Sequence, residues 1–207
     1  EFYSHYVYGE EGEDVPTIVS AASFVDDVDT DPVVILDGLT KNWRKPGWRC
    51  SWTVGPKAVI RAVTSAGSFL DGGAACPVQV AATLMLNVDT VTANARILQS
   101  HFRKKRDYVV ERLRSMDIVV QYPPGGAFYI WADLAQLPPP LNDGMAFFEQ
   151  GLKQKVITTP GEFFDVNPGR RRKRSAFNHY VRISFGPNLE ALRRGLDGLE
   201  TMIREAR

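Results

Sequence analysis

Cysteine is scarce in this chain of 207 residues: only Cys50 and Cys76, with no CxxC spacing and no histidine cluster beside them. That excludes a disulfide framework and a zinc-type ligand set, and it predicts two free thiols in a reducing compartment, the cytoplasm. Charge of one sign is missing as well. The 25 Lys and Arg against 24 Asp and Glu leave a formal net charge of +1, so no overall field draws the chain to nucleic acid or to a membrane surface. No apolar run approaches the roughly 20 residues of a spanning helix. Hydrophobic residues nevertheless make up 44% of the chain, enough to bury a core without cross-links or metal, as in an ordinary soluble protein. The opening EFYSHYVYGEEGED has no initiator Met and no signal or transit pattern, and is expected to begin inside a domain.

Periodicity and punctuation order the rest. Residues 2–8 read as a strand end running into an acidic turn at Glu10, Glu11, Glu13 and Asp14. Residues 26–31 read as a second solvated loop, because a calcium loop needs Gly at its sixth position and Glu at its twelfth. The run 32–36, PVVIL, fits a strand buried on both faces of a parallel sheet. A further strand is predicted over 48–54, then helical composition over 58–86, interrupted at Gly67 and at Asp71-Gly72-Gly73. A long helix over 89–116 places Val91, Ala95, Leu98, Phe102, Val109, Leu113 and Met116 on one stripe, with Gln99, Arg103, Lys104, Arg106 and Arg112 between them. Beyond it come strands at 118–121 and 127–132 around a Pro-Pro-Gly-Gly turn and a proline loop at 138–140. A helix near 145–153 follows, then strands at 156–158 and 180–185 and a closing helix striped with Leu189, Leu192, Leu196, Leu199 and Ile203. This is an α/β chain of two units, 1–100 and 101–207, joined by the long helix.

The segment Asp37-Gly38-Leu39-Thr40-Lys41-Asn42-Trp43-Arg44-Lys45-Pro46-Gly47-Trp48-Arg49 carries the chemistry. A lysine just past a buried strand sits where the carboxyl ends of a sheet open into a ligand crevice. Burial there favours the neutral amine, which attacks aldehydes. After the Pro46-Gly47 turn, Arg49 can return to the same crevice with a fixed charge and a fork that suits phosphate, and Thr40 adds a hydroxyl. Flanking a turn, Lys and Arg are also what a solvated surface would carry, so residue types alone leave both readings open.

The segment resembles the signature of fold-type I, class I/II aminotransferases: S-x-[ST]-K, a Pro-Gly turn, then an aromatic or leucine followed by Arg. Thr40, Lys41, Pro46, Gly47, Trp48, Arg49 and Trp52 fall in register, and Gly38 departs from it, standing where the family usually has Ser. Three further matches follow in the family's order. Glu1-Phe2-Tyr3 resembles the D-E-x-Y element, Pro124 to Trp131 the P-x-G-x-F-x-x-W strand with a V-x-x-x-P-G-x-x-F turn after it at Val156 to Phe164, and Tyr180 to Phe185 the R-I-S-F strand.

The resemblance implies the pyridoxal-5′-phosphate (PLP) transferase fold: part of a large domain, mainly parallel sheet with helices, plus an α+β small domain. It implies PLP as cofactor, Lys41 as the catalytic Schiff-base lysine, Tyr3 at the cofactor's 3-oxygen, Thr40 and Arg49 at its phosphate, and Arg182 at the substrate α-carboxylate. It also implies amino-acid and 2-oxo-acid substrates, a homodimer, and a family length about twice this one. The glycine-rich phosphate turn, the stacking aromatic, an Asn and the ring-nitrogen Asp of the family are not in this sequence, so efficient transamination is expected of a longer protein. Two neighbouring readings share the motifs: a PLP-dependent lyase or 1-aminocyclopropane-1-carboxylate synthase-like enzyme, and a non-catalytic aminotransferase-like sensor domain of a transcription regulator.

Other signals read as structural. The run Arg170-Arg171-Arg172-Lys173-Arg174 is expected to be a loop rather than a nucleic-acid patch. His101 falls near the long-helix stripe, and His5 and His179 have no partner spacing. Ser65 to Gly73 suits either a phosphate nest or a plain helix break.

Overall fold

A computed structural model describes residues 1–9, 18–167 and 171–207; the acidic turn expected at 10–16 and Arg170 lie outside them. The chain divides into two compact units, Glu1–Ser100 and His101–Arg207.

In the first unit, β1 (Ile35–Gly38) pairs with β2 (Ser51–Val54), with Ile35 opposite Val54 and Gly38 opposite Ser51. The pairing is antiparallel, which corrects the parallel strand expected at 32–36; Leu36 is 56% exposed rather than buried on both faces. The reason lies in the connection. The Leu39 N–H donates to the Cys50 carbonyl (2.9 Å) and the Lys45 N–H to the Leu39 carbonyl (2.9 Å). That doubles the segment back, and a doubled-back chain re-enters a sheet antiparallel. The strand expected over 48–54 begins only at Ser51: Trp48 closes a 3-10 turn (Pro46–Trp48), and Arg49 follows in the left-handed region at φ 50°. Residues 2–5, expected to be extended, form a hydrogen-bonded turn.

Helix α1 (Lys57–Leu70) runs through Gly67 without a break, since one helical glycine costs only about 1 kcal/mol. The break comes at Asp71–Gly73. The Asp71 carboxylate accepts from the Gly73 N–H (3.0 Å), and Gly72 and Gly73 take φ of +70° and +88°, open to glycine alone at little strain. Helix α2 (Cys76–Met85) follows. The buried centre of this unit is small: Leu39, Cys50 and Ala82, with Trp43, Trp48 and Trp52 packed against them. The indole N–H of Trp43 donates to the Met85 carbonyl (3.1 Å).

Helix α3 (Val88–Ser115) contains the division between the units. Asp89 in its first turn and Arg112 and Arg114 in its last complement the helix dipole. Its polar side is more than a solvated face. Gln99 is buried; Arg112 bonds Tyr108, Asp197 and Glu200; Arg114 donates to the Val120 carbonyl; and the buried Lys105 ammonium donates to Gly186 O at 2.9 Å.

The second unit is built on an antiparallel sheet of order β3-β5-β4, with β3 Tyr129–Asp133, β4 Thr159–Pro160 and β5 Tyr180–Ser184. The strand expected at 118–121 is reduced to one bridge, Val119 with Asp133. β3 starts at Tyr129 rather than at residue 127, because Ala127 sits at φ 58°. Pairing expected at 156–158 falls instead at Thr159–Pro160. Helices α4 (Gly144–Lys153) and α5 (Leu189–Glu205) are capped by Asp143, which accepts from the Met145 and Ala146 N–H groups, and by Asn188, which accepts from Ala191 N–H. α5 buries Leu192, Leu196, Leu199, Met202 and Ile203, while Leu189 in its first turn stays exposed. The core joins these to Val109, Leu113, Ile130, Phe147, Val181 and Phe185.

Candidate functional site

Lys41 occupies the loop after β1, and residues 1–6 wrap around that loop. The tie is Asn42, whose side chain is 1% exposed. Its amide nitrogen donates to the Glu1 carbonyl (3.0 Å) and the Ser4 hydroxyl (2.9 Å), and its oxygen accepts from the His5 N–H (3.1 Å). The Tyr6 hydroxyl donates to the carbonyl of Lys41 itself (3.1 Å). These bonds bring Tyr3 beside the lysine, with Nζ 5.9 Å from the ring centroid.

Asp37 lies beneath the loop, its carboxylate 3.3 Å from the Asn42 amide nitrogen. Burial pushes the Asp37 carboxyl above the usual carboxylate range, opposed by the Gly38 N–H that it accepts. Burial likewise lowers His5 below the usual imidazole value and raises the Tyr6 phenol. His5, which has no partner spacing in the sequence, is buried, with its ring 5.0 Å from Trp43 and its Nδ1 unpaired among the described residues. Asn42 was not singled out in the sequence at all. Only its position next to Lys41 hinted at it.

Thr40 and Arg49 line one cavity of about 460 Å3, with Phe2, Cys50, Ser51, Asp71, Gly73 and Ala74. Arg49 is exposed and spends one N–H on the Pro46 carbonyl (2.8 Å). The Asp71–Gly73 break, which the sequence left between nest and interruption, ends on this same cavity. Gly38 has a steric explanation. A Cβ there would stand 2.7 Å from the Cys50 carbonyl oxygen and from the Ser51 Cα, so the closeness of β2 excludes the serine hydroxyl.

Arg182 belongs to the second unit, in the middle strand of its sheet, opposite Trp131 on β3 and Thr159 on β4. Strand alternation turns Val181 and Ile183 into the core and Arg182 to the other face. There its guanidinium lies 4.3 Å from the Tyr129 ring and 4.8 Å from the Phe164 ring. Among the described residues no carboxylate pairs with it. Trp131 continues the aromatic face, with Phe164, Phe177 and Tyr180 rings 5.4–5.5 Å away. Gly161 is required at the turn of the Pro-Gly element, because a Cβ would lie 2.4 Å from the Phe177 carbonyl oxygen.

Of the remaining signals, Arg172 pairs with Asp165, and its backbone N–H and carbonyl bond the Asn167 side chain. His179 lies 3.9 Å from Asp133, and His101 is exposed beside Phe102. No helix among the described residues is long and apolar enough to cross a membrane.

The family model for aminotransferase class I and II matches residues 1–199. Among curated proteins, an aspartate aminotransferase of Streptomyces avermitilis is 28% identical over 217 residues, covering 100% of this chain and 48% of its own length. A probable N-acetyl-LL-diaminopimelate aminotransferase of Bacillus subtilis is 29% identical over 181 residues, covering 86% and 42%. Among solved structures, the aspartate aminotransferase of Thermus thermophilus with maleate superposes with a TM-score of 0.77 at 25% identity, over 97% of this chain and 46% of that one. An aromatic aminotransferase from Pyrococcus horikoshii gives 0.80 at 23% identity, over 99% and 50%. The chain thus has the fold of this group and spans about half the length of the curated relatives it matches.

Proposed function

The chain belongs to the aminotransferase class I and II family, and from that premise we propose that the protein transfers an amino group from an α-amino acid to a 2-oxo acid with pyridoxal 5′-phosphate. The observation that carries the reading is the convergence at one loop: Lys41 beside Tyr3, and Thr40, the residue before it, with Arg49 on one polar cavity. The Thr40 and Ser51 hydroxyls and the Arg49 fork are a donor set that suits a phosphate monoester. Asp71 on the same lining has the opposite sign, but its carboxylate is engaged by the Gly73 N–H. The residues present therefore fit the group.

When bound, the cofactor supplies an aldehyde that condenses with amines and a ring that draws electron density from Cα. The protein's part is positioning and proton transfer. Lys41 would hold the cofactor through its aldehyde carbon and act as the general acid/base for the substrate Cα proton. Tyr3 donates to the ring 3-oxygen, and Thr40 and Arg49 hold the phosphate. Arg182, braced between two rings and paired with no carboxylate among the described residues, holds the substrate α-carboxylate as a bidentate partner. Exposed apolar side chains on α1 and α2 (Phe69, Leu70, Val80, Leu84) support packing against further protein surface, in a homodimer. Two free thiols, Cys50 and Cys76, support a cytoplasmic location.

The test uses the protein loaded with cofactor. Borohydride reduction should fix the label on Lys41, and Lys41→Ala should lose both the visible absorbance and the activity. A Lys41→Ala variant that kept its visible band would sink the assignment. Formation of one 2-oxo acid per amino group transferred separates transamination from lyase chemistry.

A further inference from the structure

On the core side of β5, the face turned away from Arg182, the second unit holds a slot of about 230 Å3 bounded by α5, α3 and residues 155–158. Val109, Ile183, Leu192 and Leu196 give it apolar walls, all of them buried. Thr158 also lines it, is 4% exposed, and its hydroxyl meets no hydrogen-bond partner. Buried hydroxyls are almost always satisfied, because an unmatched one forfeits the bond it made to water. Lys155, exposed, is the one ionisable side chain among the described lining residues. A closed apolar cavity of about 150 Å3 accommodates benzene. The slot therefore has room for a ring, or a branched chain, with a short arm.

We propose that this slot binds a small carboxylic acid with an aromatic or branched apolar body, at a site separate from the one that holds Lys41 and from the Arg182 face. The body lies against Leu192 and Leu196. The Thr158 hydroxyl donates to a carboxylate oxygen, and the Lys155 ammonium, three residues earlier on the same segment, supplies the counter-charge. Because Thr159 stands opposite Arg182 in the sheet, the ligand rests on the segment that flanks the substrate-facing strand. The inference does not depend on the transamination reading.

Gly195 provides the means to test it. It lines the slot, and a Cβ there meets only Val156 Cγ2, at 4.0 Å. Gly195→Leu therefore fills the space without striking backbone. Phenylacetate would be titrated calorimetrically into the full-length protein and into Gly195→Leu, Thr158→Val and Arg182→Leu, with phenylacetamide and acetate as controls. Phenylacetate should bind with a Kd of about 0.1–1 mM, as a ligand of about ten non-hydrogen atoms does. Both controls should be about tenfold weaker or worse. Gly195→Leu should abolish binding, Thr158→Val should weaken it about threefold to tenfold, and Arg182→Leu should leave it unchanged. Should Gly195→Leu not fold, the near-isosteric Thr158→Val decides alone. Absence of binding to the wild type, or binding lost in Arg182→Leu and kept in the slot variants, would overturn the proposal.

Discussion

Helix α5 buries five residues, whereas α1 buries none and α2 only Ala82. Phe69 at the end of α1 is 91% exposed, while Phe147 on α4 is fully buried. Both units come from one chain with one composition, so the difference is one of closure. The second unit supplies both sides of its own core: three strands, two helices, and the part of α3 that follows the division. The first supplies one side, and its order rests on side-chain hydrogen bonds at Asn42 and three tryptophans around Leu39. One unit is held mainly by apolar volume, the other by directional bonds. The residues proposed to hold the cofactor sit in the second kind of environment, and the arginine proposed to hold the substrate in the first.

The sharpest way to break that contrast is to remove volume where it dominates. Phe147→Ala should cost about 3–5 kcal/mol in denaturant unfolding of the second unit, and a loss below about 1 kcal/mol would mean that the core is looser than its burial implies. Next in size, Arg182→Leu should lower kcat/KM about a hundredfold or more while the bound cofactor keeps its spectrum. If both fell together, the division of labour between the units would be wrong. At the cofactor loop, Gly38→Ser restores the family's residue yet should destabilise by about 1–3 kcal/mol, since its Cβ meets β2. A Gly38→Ser protein of unchanged Tm that bound the cofactor more tightly would contradict the steric account.

The smallest effect is on pH. Burial depresses His5 below its ordinary 6.5, so the unfolded chain takes up a proton on acidification before the folded chain does. The stability this histidine contributes is present above pH 6.5 and is lost as pH falls through its folded value. The wild type should therefore lose more stability between neutral and mildly acidic pH than His5→Phe does, read from denaturation midpoints. Equal slopes would mean that His5 stays solvated.

What could be read from the sequence follows the same division. The stripe of α5 was legible, because from Leu192 onward it reports a face packed against residues of the same unit. The run at 32–36 was not. β-branched residues favour a strand without fixing its direction, and the direction came from backbone bonds between Leu39, Lys45 and Cys50. Gln99 and Lys105 lie off the predicted apolar stripe and are nonetheless buried, which a 3.6-residue count cannot register. Thr40, Lys41, Arg49, Tyr3 and Arg182 could be selected through the resemblance of their motifs to the family, since residue types alone leave Lys41 and Arg49 open between a site and a solvated surface. Asn42 could not, since its role depends on Glu1 and Ser4 arriving from the far end of the segment.

The placement of the indoles has a spectroscopic consequence. Three of the four tryptophans, Trp43, Trp48 and Trp52, surround the loop of Lys41, and the fourth, Trp131, lies opposite Arg182. Emission from the first set reports the surroundings of the lysine, and Trp131 reports the arginine face. A Trp131→Phe protein excited at the indole band is thus a single-region probe, and its difference from the wild type is the probe of the other. The chain carries two optical reporters without any label.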